Sequence, residues 1–430
     1  MKHFVLFAFP LILFLTHSLR AQESIDQAYI ERIVRTLAAD SLEGRASFTP
    51  GNGKAAAFIQ QEFEAIGLHP LDSSKNFRQE FPLSSIKPSR ISVSINGKVI
   101  EVENVLARTS REQVSWTEKD SLSVYYIFEG DDFRQKVGDI LQEDQDAIVM
   151  VDSSHRDMFQ KYRRRFAERS LSPDPAKEKT LVAVLDRAIE PHRFLIRVES
   201  MIEQKILTNI VGILPGKRNE AVVFSAHYDH LGILAPVKGD SIANGADDDA
   251  SGVSAVLSLA KYFKSLGQPE RTLVFVAFAA EEMGGFGSRY YSQHIDAANV
   301  VAMFNIEMIG TPAKFGPNTF WMTGFDLSTL GRIVQRNLAA TPYALYPDPY
   351  PRENLFYRSD NAKLARLGVP AHTFSTTQID VDKLYHTVGD DASTLDFTNT
   401  TNIVRALALA AKTIVSGIDT PSRIDPSKVK

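Results

Sequence analysis

The sequence predicts an α/β protein: a doubly wound, mixed but mostly parallel sheet with helices on both faces, interrupted by an inserted β-rich module. Three observations predict it. From residue 208 onward, compact apolar runs alternate with helical patterns, as strands buried on both faces of a parallel sheet do. Between 88 and 205 the runs are shorter and alternate apolar with polar, the period of strands with one wet face. The composition, 44% hydrophobic and 23% charged over 430 residues, supports one large core with an insertion or a second domain.

The elements follow in order. The opening residues carry Lys2, an apolar run over 4–15, and the small residues Ser18 and Ala21 before Gln22. This is the pattern of a secretory signal over 1–21, cut after Ala21 and too short to span a bilayer. With no cysteine, neither a disulfide nor a lipidated cysteine is available. The expectation is an exported protein, periplasmic or extracellular, with no integral membrane segment in its mature form. Residues 25–39 and 54–66 show helical periodicity, the second stopped by Gly67, with a polar loop at 41–45 between them.

In the module, 91–95, 99–105, 122–128, 147–151 and 181–185 are expected strands, Asn96-Gly97 a hairpin turn, and 163–179 a long loop or helix-loop. The basic run at 161–165 reads as a solvated helix face. With a net charge of −4, nothing draws the chain to nucleic acid. Downstream, 221–226, 272–278, 300–306, 319–322 and 369–375 are the expected sheet strands, and 251–266, closed by Gly267, and 327–339 the helices. The main domain is therefore expected at 22–87 and 206–420, the module at 88–205, and a tail at 421–430.

In such a sheet, functional groups gather beyond the carboxyl ends of the strands. The run 221–226 leads into His227-Tyr-Asp-His230, where a carboxylate two positions after the imidazole can accept its second ring proton. Gly245-Ala-Asp-Asp-Asp-Ala-Ser-Gly252 sets three carboxylates before a helix. One acidic residue, Asp249, suffices to cap that helix, and three adjacent like charges repel unless a cation sits among them. Glu281-Glu282 after the next run allows one carboxylate to bind metal while its neighbour handles a proton. Glu307 ends the run 300–306, and His386 follows Tyr385 in a loop. Singly, each has a bland reading as cap, strand terminator or surface residue. Together, two histidines and three or more carboxylates at one sheet edge suit a pair of zinc ions.

The series Ser225-Ala-His-Tyr-Asp-His230, Gly245 to Gly252, Ala279-Ala-Glu-Glu-Met-Gly284, Asn305-Ile-Glu-Met-Ile-Gly310 and Tyr385-His-Thr387 resembles the M28 family of co-catalytic zinc aminopeptidases. Its order and spacing match over 208–416, and the resemblance extends to Leu42-Glu-Gly-Arg45. It implies a zinc-exopeptidase-like fold and two Zn²⁺ per chain. His227 and Glu307 bind one ion, Glu282 and His386 the other, and Asp248 bridges. Asp229 orients His227, Glu281 is the general base, and Tyr385 assists the reacting carbonyl. The substrates implied are peptides with a free N-terminus.

The chain departs from the family in having Glu307 where aspartate is commoner and Asn361 where histidine is commoner. The family often carries a protease-associated domain where the module lies. Two other readings stand beside the aminopeptidase: a glutaminyl cyclase-like enzyme, which works with a single zinc, and a non-catalytic peptide-binding ectodomain. The absence of a Gly-x-Ser-x-Gly segment speaks against a serine hydrolase.

Overall fold

The computed structural model describes residues 25–71, 76–143, 145–168, 170–175 and 178–429, so the expected signal over 1–21 lies outside the described residues. The chain forms two compact units. One takes Met1–Phe81 and Leu207–Lys430, the other Pro82–Ile206. No helix among the described residues is long and apolar enough to cross a membrane.

The larger unit is built on a mixed sheet. Strand Arg218–His227 runs parallel to Arg271–Phe278 on one side and to Val300–Ile306 on the other, and Val300–Ile306 runs parallel to Ala371–Ser375. Residues 210–214 add antiparallel to Arg271–Phe278. Beyond Ala371–Ser375, strand Thr319–Met322 is antiparallel and carries Ala344–Pro347 parallel at its edge.

The central strands are apolar on both faces, as strands covered on both sides must be. At the sheet's middle, Phe224 is fully buried with Phe275, Phe304 and Phe263 at ring distances of 5.5, 5.3 and 5.5 Å. Each such phenylalanine contributes about 1.5–3 kcal/mol through burial.

Helix Pro50–Ile66 ends at Gly67, whose φ of 79° is the left-handed cap that glycine adopts without strain. Helix Gly252–Ser265 and helix Leu330–Leu338 lie where the pattern placed them. The 19-residue helix Phe397–Val415 has no counterpart among the expected elements. Thr398, Asn402, Arg405, Lys412 and Thr413 form its polar stripe, and the other residues are buried. The segment 41–45 is a tight 3-10 turn rather than a simple polar loop, and its Arg45 is wholly buried.

The smaller unit differs from the expected β-rich module in having α/β character. Ser123–Ile127, Ala147–Asp152 and Leu181–Asp186 pair in parallel. Parallel neighbours need crossovers, and helices Phe133–Ile140 and Arg156–Glu168 lie within them. The second helix contains the basic run 161–165 and ends within the charged stretch 163–179. Strand Val105–Arg108 closes this sheet antiparallel. The Asn96-Gly97 turn forms as expected, joining residues 93–95 to 98–100 with both turn residues at positive φ.

Candidate metal centre

Parallel register brings the strand ends to one edge. His227 is paired with Phe278 and Ser225 with Asn305, so His227, Glu281-Glu282 and Glu307 emerge side by side. The remaining ligand candidates arrive from loops. The aspartate run precedes helix Gly252–Ser265, and the Tyr385-His386 loop follows strand Ala371–Ser375.

Of the three aspartates, only the middle one faces the histidines. Asp247 Oδ1 accepts from the Gly310 amide at 2.7 Å and the Ser251 hydroxyl at 3.1 Å. Asp249 accepts from the amides of Gly252, Met308 and His227 at 3.0, 3.1 and 3.3 Å, so it both caps the helix and ties two strand ends together. Asp248 Oδ1 lies 3.1 Å from His227 Nε2, and its Oδ2 lies 3.3 Å from His386 Nε2. Glu282 Oε2 is 3.1 Å from the same His386 nitrogen.

His230, to which no role was assigned from sequence, joins this cluster. Its Nδ1 is 2.8 Å from Glu282 Oε1 and 3.7 Å from Asp248 Oδ2. The ligand-bearing atoms of His230, Asp248 and Glu282 lie within 4.8 Å of one another. Its only local signal was a second histidine three positions after His227.

Asp229 behaves differently from the expectation that its carboxylate takes the His227 ring proton. His227 Nδ1 lies 3.1 Å from the backbone carbonyl of Asp229, and the carboxylate is 3.9 Å away. The tight turn folds the carbonyl back onto the ring. The carboxylate instead accepts from the Glu281 amide at 3.0 Å and the Ser47 hydroxyl at 3.2 Å, fixing the start of the Glu281-Glu282 turn.

Asn361, at the position where the family more often has histidine, serves the fold. It donates to the carbonyls of Phe356 and Ala371 and accepts from the Thr373 hydroxyl.

The electrostatics are those of a buried anionic cluster. Burial disfavours charge on Asp248, yet His230, His227 and His386 hold it well below the usual carboxylate range. Burial pushes Glu281 well up, opposed by His227 and reinforced by Glu307, Asp360 and Glu282. Glu307 rises to about 7, again chiefly by burial. Burial lowers His386, but its bonds to Asp248 and Glu282 outweigh this and raise it to about 10. Burial raises the Tyr385 hydroxyl above its ordinary value, so it stays protonated, and its ring stacks on His386 at 3.8 Å.

Among the described residues, several buried atoms here have no hydrogen-bond partner: His230 Nε2, Glu307 Oε2 and both Asp360 oxygens. The Ser288 hydroxyl beside Asp360 donates to the Gly285 carbonyl at 3.2 Å. Buried lone pairs with no donor are costly, and imidazole and carboxylate lone pairs converging on one place are the donor set of a cation. The residues present therefore fit zinc.

Next to Glu307 lies a small pocket walled by Met308, Trp321, Leu355, Ile379 and Tyr385, with hydroxyls and Arg358 at its margin. Of the aromatic loop 343–357, Tyr350 packs edge-on behind Trp321, and only Leu355 reaches the wall.

Imidazoles and carboxylates thus converge at the carboxyl edge of an α/β sheet, where ligand sites of such sheets form. Residues 209–411 match the model of peptidase family M28. Leucine aminopeptidase 1 of Ajellomyces capsulatus is 31% identical over 209 residues, covering 44% of this chain and 51% of that protein. The chain thus spans about half the length of this curated relative. The aminopeptidase YwaD of Bacillus subtilis is 33% identical over 109 residues, 24% of this chain and 22% of that protein. The fold is also that of the aminopeptidase from Aneurinibacillus sp. strain AM-1, with TM-score 0.56, 18% identity, and coverage of 96% of this chain and 98% of that one. A zinc aminopeptidase from Bacillus subtilis gives TM-score 0.55 at 16% identity, covering 94% and 99%.

Proposed function

We propose that this protein is an exported zinc-dependent aminopeptidase that removes N-terminal residues from peptides using two zinc ions. The observation that carries the reading is the position of Asp248, with a different histidine on each carboxylate oxygen. A carboxylate so placed could serve two cations, one through each oxygen. His227 and Glu307 complete one ligand set, and Glu282 and His386 the other. Bound there, the zinc pair supplies Lewis-acid polarisation of the scissile carbonyl and a water acidified towards neutrality.

The chain's own residues supply the rest. Glu281 sits beside the cluster with its proton affinity raised by burial, which suits it to accept a proton from water and return it to the leaving amine. Tyr385, protonated and fixed by stacking on His386, can donate to the reacting carbonyl oxygen. Asp360 offers two unpartnered buried oxygens to the substrate's α-ammonium group. The pocket beside Glu307 then receives the N-terminal side chain, and its walls favour an apolar one.

Within this reading the sheet of the larger unit is doubly wound, the peptidase domain comprises 22–87 and 206–420, and 88–205 is an inserted module. Export to the periplasm or medium is supported by the pattern over 1–21.

The test is hydrolysis of a panel of aminoacyl-arylamides with metal content measured on the same protein. Two zinc per chain with chelator-sensitive release of arylamine supports the reading. One zinc, with cyclisation of N-terminal glutamine instead, moves the assignment to a glutaminyl cyclase. Full metal loading with neither reaction leaves a peptide-binding role.

A further inference from the structure

We propose that Arg45 is a positioning residue of the metal centre, a clamp that ties the loop carrying His227 to the loop carrying Asp248 and sets their separation. This rests on the reading that the centre binds zinc.

The Arg45 side chain is fully excluded from solvent. Its Nε donates to the Tyr228 carbonyl at 2.9 Å, between His227 and Asp229. One terminal nitrogen reaches the carbonyls of Leu37 and Asn244 at 2.7 and 2.5 Å. The other reaches those of Gly245 and Asp248 at 3.0 and 3.4 Å. A guanidinium has five N–H groups in a rigid fork, and here five carbonyls receive them. Three of those carbonyls belong to the run from Asn244 to Asp248, and one to the turn after His227. The guanidinium therefore spans the backs of both loops whose side chains meet at 3.1 Å in front.

The backbone is shaped to hold it there. Glu43, Gly44 and Arg45 have φ of 49°, 66° and 52°, three consecutive left-handed residues, a conformation non-glycine residues keep only when their surroundings enforce it. A Cβ on Gly44 would lie 2.5 Å from the Ala243 carbonyl and 2.7 Å from that of Gly232, so the turn packs directly on the hairpin that joins His230 to the aspartate run. The Arg45 carbonyl accepts from the His230 amide at 3.3 Å and from the Asn52 side chain at 3.1 Å. No carboxylate bonds the guanidinium directly. Its charge lies instead among those of Asp390, Asp248, Asp229 and Asp249, where it offsets their mutual repulsion without occupying the oxygens that face the histidines.

A merely structural arginine would satisfy buried carbonyls, and its loss would lower stability. A clamp makes a further demand: metal affinity must fall by more than stability does. Lysine keeps the charge but has three donors, so Arg45→Lys leaves at least two of the five carbonyls unpaired. The experiment measures zinc affinity of the full chain by competition with a chromophoric chelator, together with the thermal midpoint of the metal-free protein and arylamide kinetics.

Arg45→Lys is expected to bind zinc at least tenfold more weakly and to lose kcat, with KM within about twofold of wild type. Asn337→Ala serves as the structural control. It removes buried side-chain bonds to the Ala410 carbonyl and the Thr413 hydroxyl, which belong to neither loop, and should lower the midpoint while leaving zinc affinity within twofold. Wild-type zinc affinity in Arg45→Lys, or equal affinity losses in the two variants at equal loss of midpoint, overturns the clamp. Should Arg45→Lys not fold, Asn52→Ala decides. It frees the Arg45 backbone, a loss of zinc affinity of twofold or more supports the proposal, and an unchanged affinity overturns it. Failure of the wild type to bind zinc refutes the metal reading itself, an outcome distinct from any of these.

Discussion

His227 and Asp248 meet through Nε2 and Oδ1 at 3.1 Å, both almost wholly buried, while the other oxygen of Asp248 turns to His386. Under the proposed two-zinc reading, removing that carboxylate's charge would act on both metal positions at once. Asp248→Asn should lose both zinc ions and more than about 10³-fold in kcat/KM, since the metals supply several kcal/mol of transition-state stabilisation. His386→Ala should lose one ion and retain the other. Metal analysis of the purified variants distinguishes the two outcomes, and equal loss in both would contradict a bridging role for Asp248.

In the proposed reading Glu281 handles a proton and holds no ion. Glu281→Gln should keep the wild-type zinc content and lower kcat by about 10²–10⁴, the range of general acid–base contributions, with little change in KM. Steady-state kinetics with metal content measured on the same sample checks this. A variant that loses zinc would make Glu281 a ligand instead of a base.

Asp360 presents two buried oxygens with no partner. If they receive the α-ammonium group, Asp360→Asn should raise KM for aminoacyl-arylamides by about 10–100-fold, the value of a hydrogen bond to a charged group, and should alter kcat less. A pure kcat effect would place Asp360 with the chemistry.

His372 reports on stability away from the centre. It is fully buried, and desolvation lowers its pKa to about 4, with its ring held between the Thr323 carbonyl and the Ser328 hydroxyl. In the unfolded chain it titrates at its ordinary value near 6.5. As the pH falls between these values the unfolded state binds the extra proton, so this contribution is fully present above about 6.5 and is lost as the pH falls through 4. The span corresponds to about 3 kcal/mol. His372→Gln, less stable at neutral pH, should show a flatter decline in thermal midpoint between pH 6.5 and 4 than the wild type, and parallel declines would exclude His372 as the cause.

Much of the larger unit was legible because its strands announce themselves. The runs 272–278, 300–306 and 319–322 are uninterrupted apolar segments bounded by turns, and they fold within a residue of where the pattern sets them. The helix Phe397–Val415 is absent from the expected elements although Thr398, Asn402, Arg405 and Lys412 give it a narrow polar stripe: its first turns, Phe397-Thr-Asn-Thr-Thr-Asn402, are rich in residues that favour caps and turns. In the smaller unit, the strands were visible, but the two crossovers holding helices Phe133–Ile140 and Arg156–Glu168, one for each parallel pairing, were not.

The sequence by itself determined the kinds of residue at the centre and their place at strand ends, because ligand chemistry and strand periodicity are both local properties written in residue type and spacing. Which oxygen faces which nitrogen was decided by the tertiary structure. Three adjacent aspartates are equivalent in the sequence, and only the amides of Gly310, Gly252, Met308 and His227 occupy Asp247 and Asp249 and leave Asp248 to the histidines. Arg45 and His230 became visible in the same way. A buried cation bonded to carbonyls from three distant segments, and an imidazole turned onto a glutamate 52 residues away, depend on chain crossings that no local pattern records.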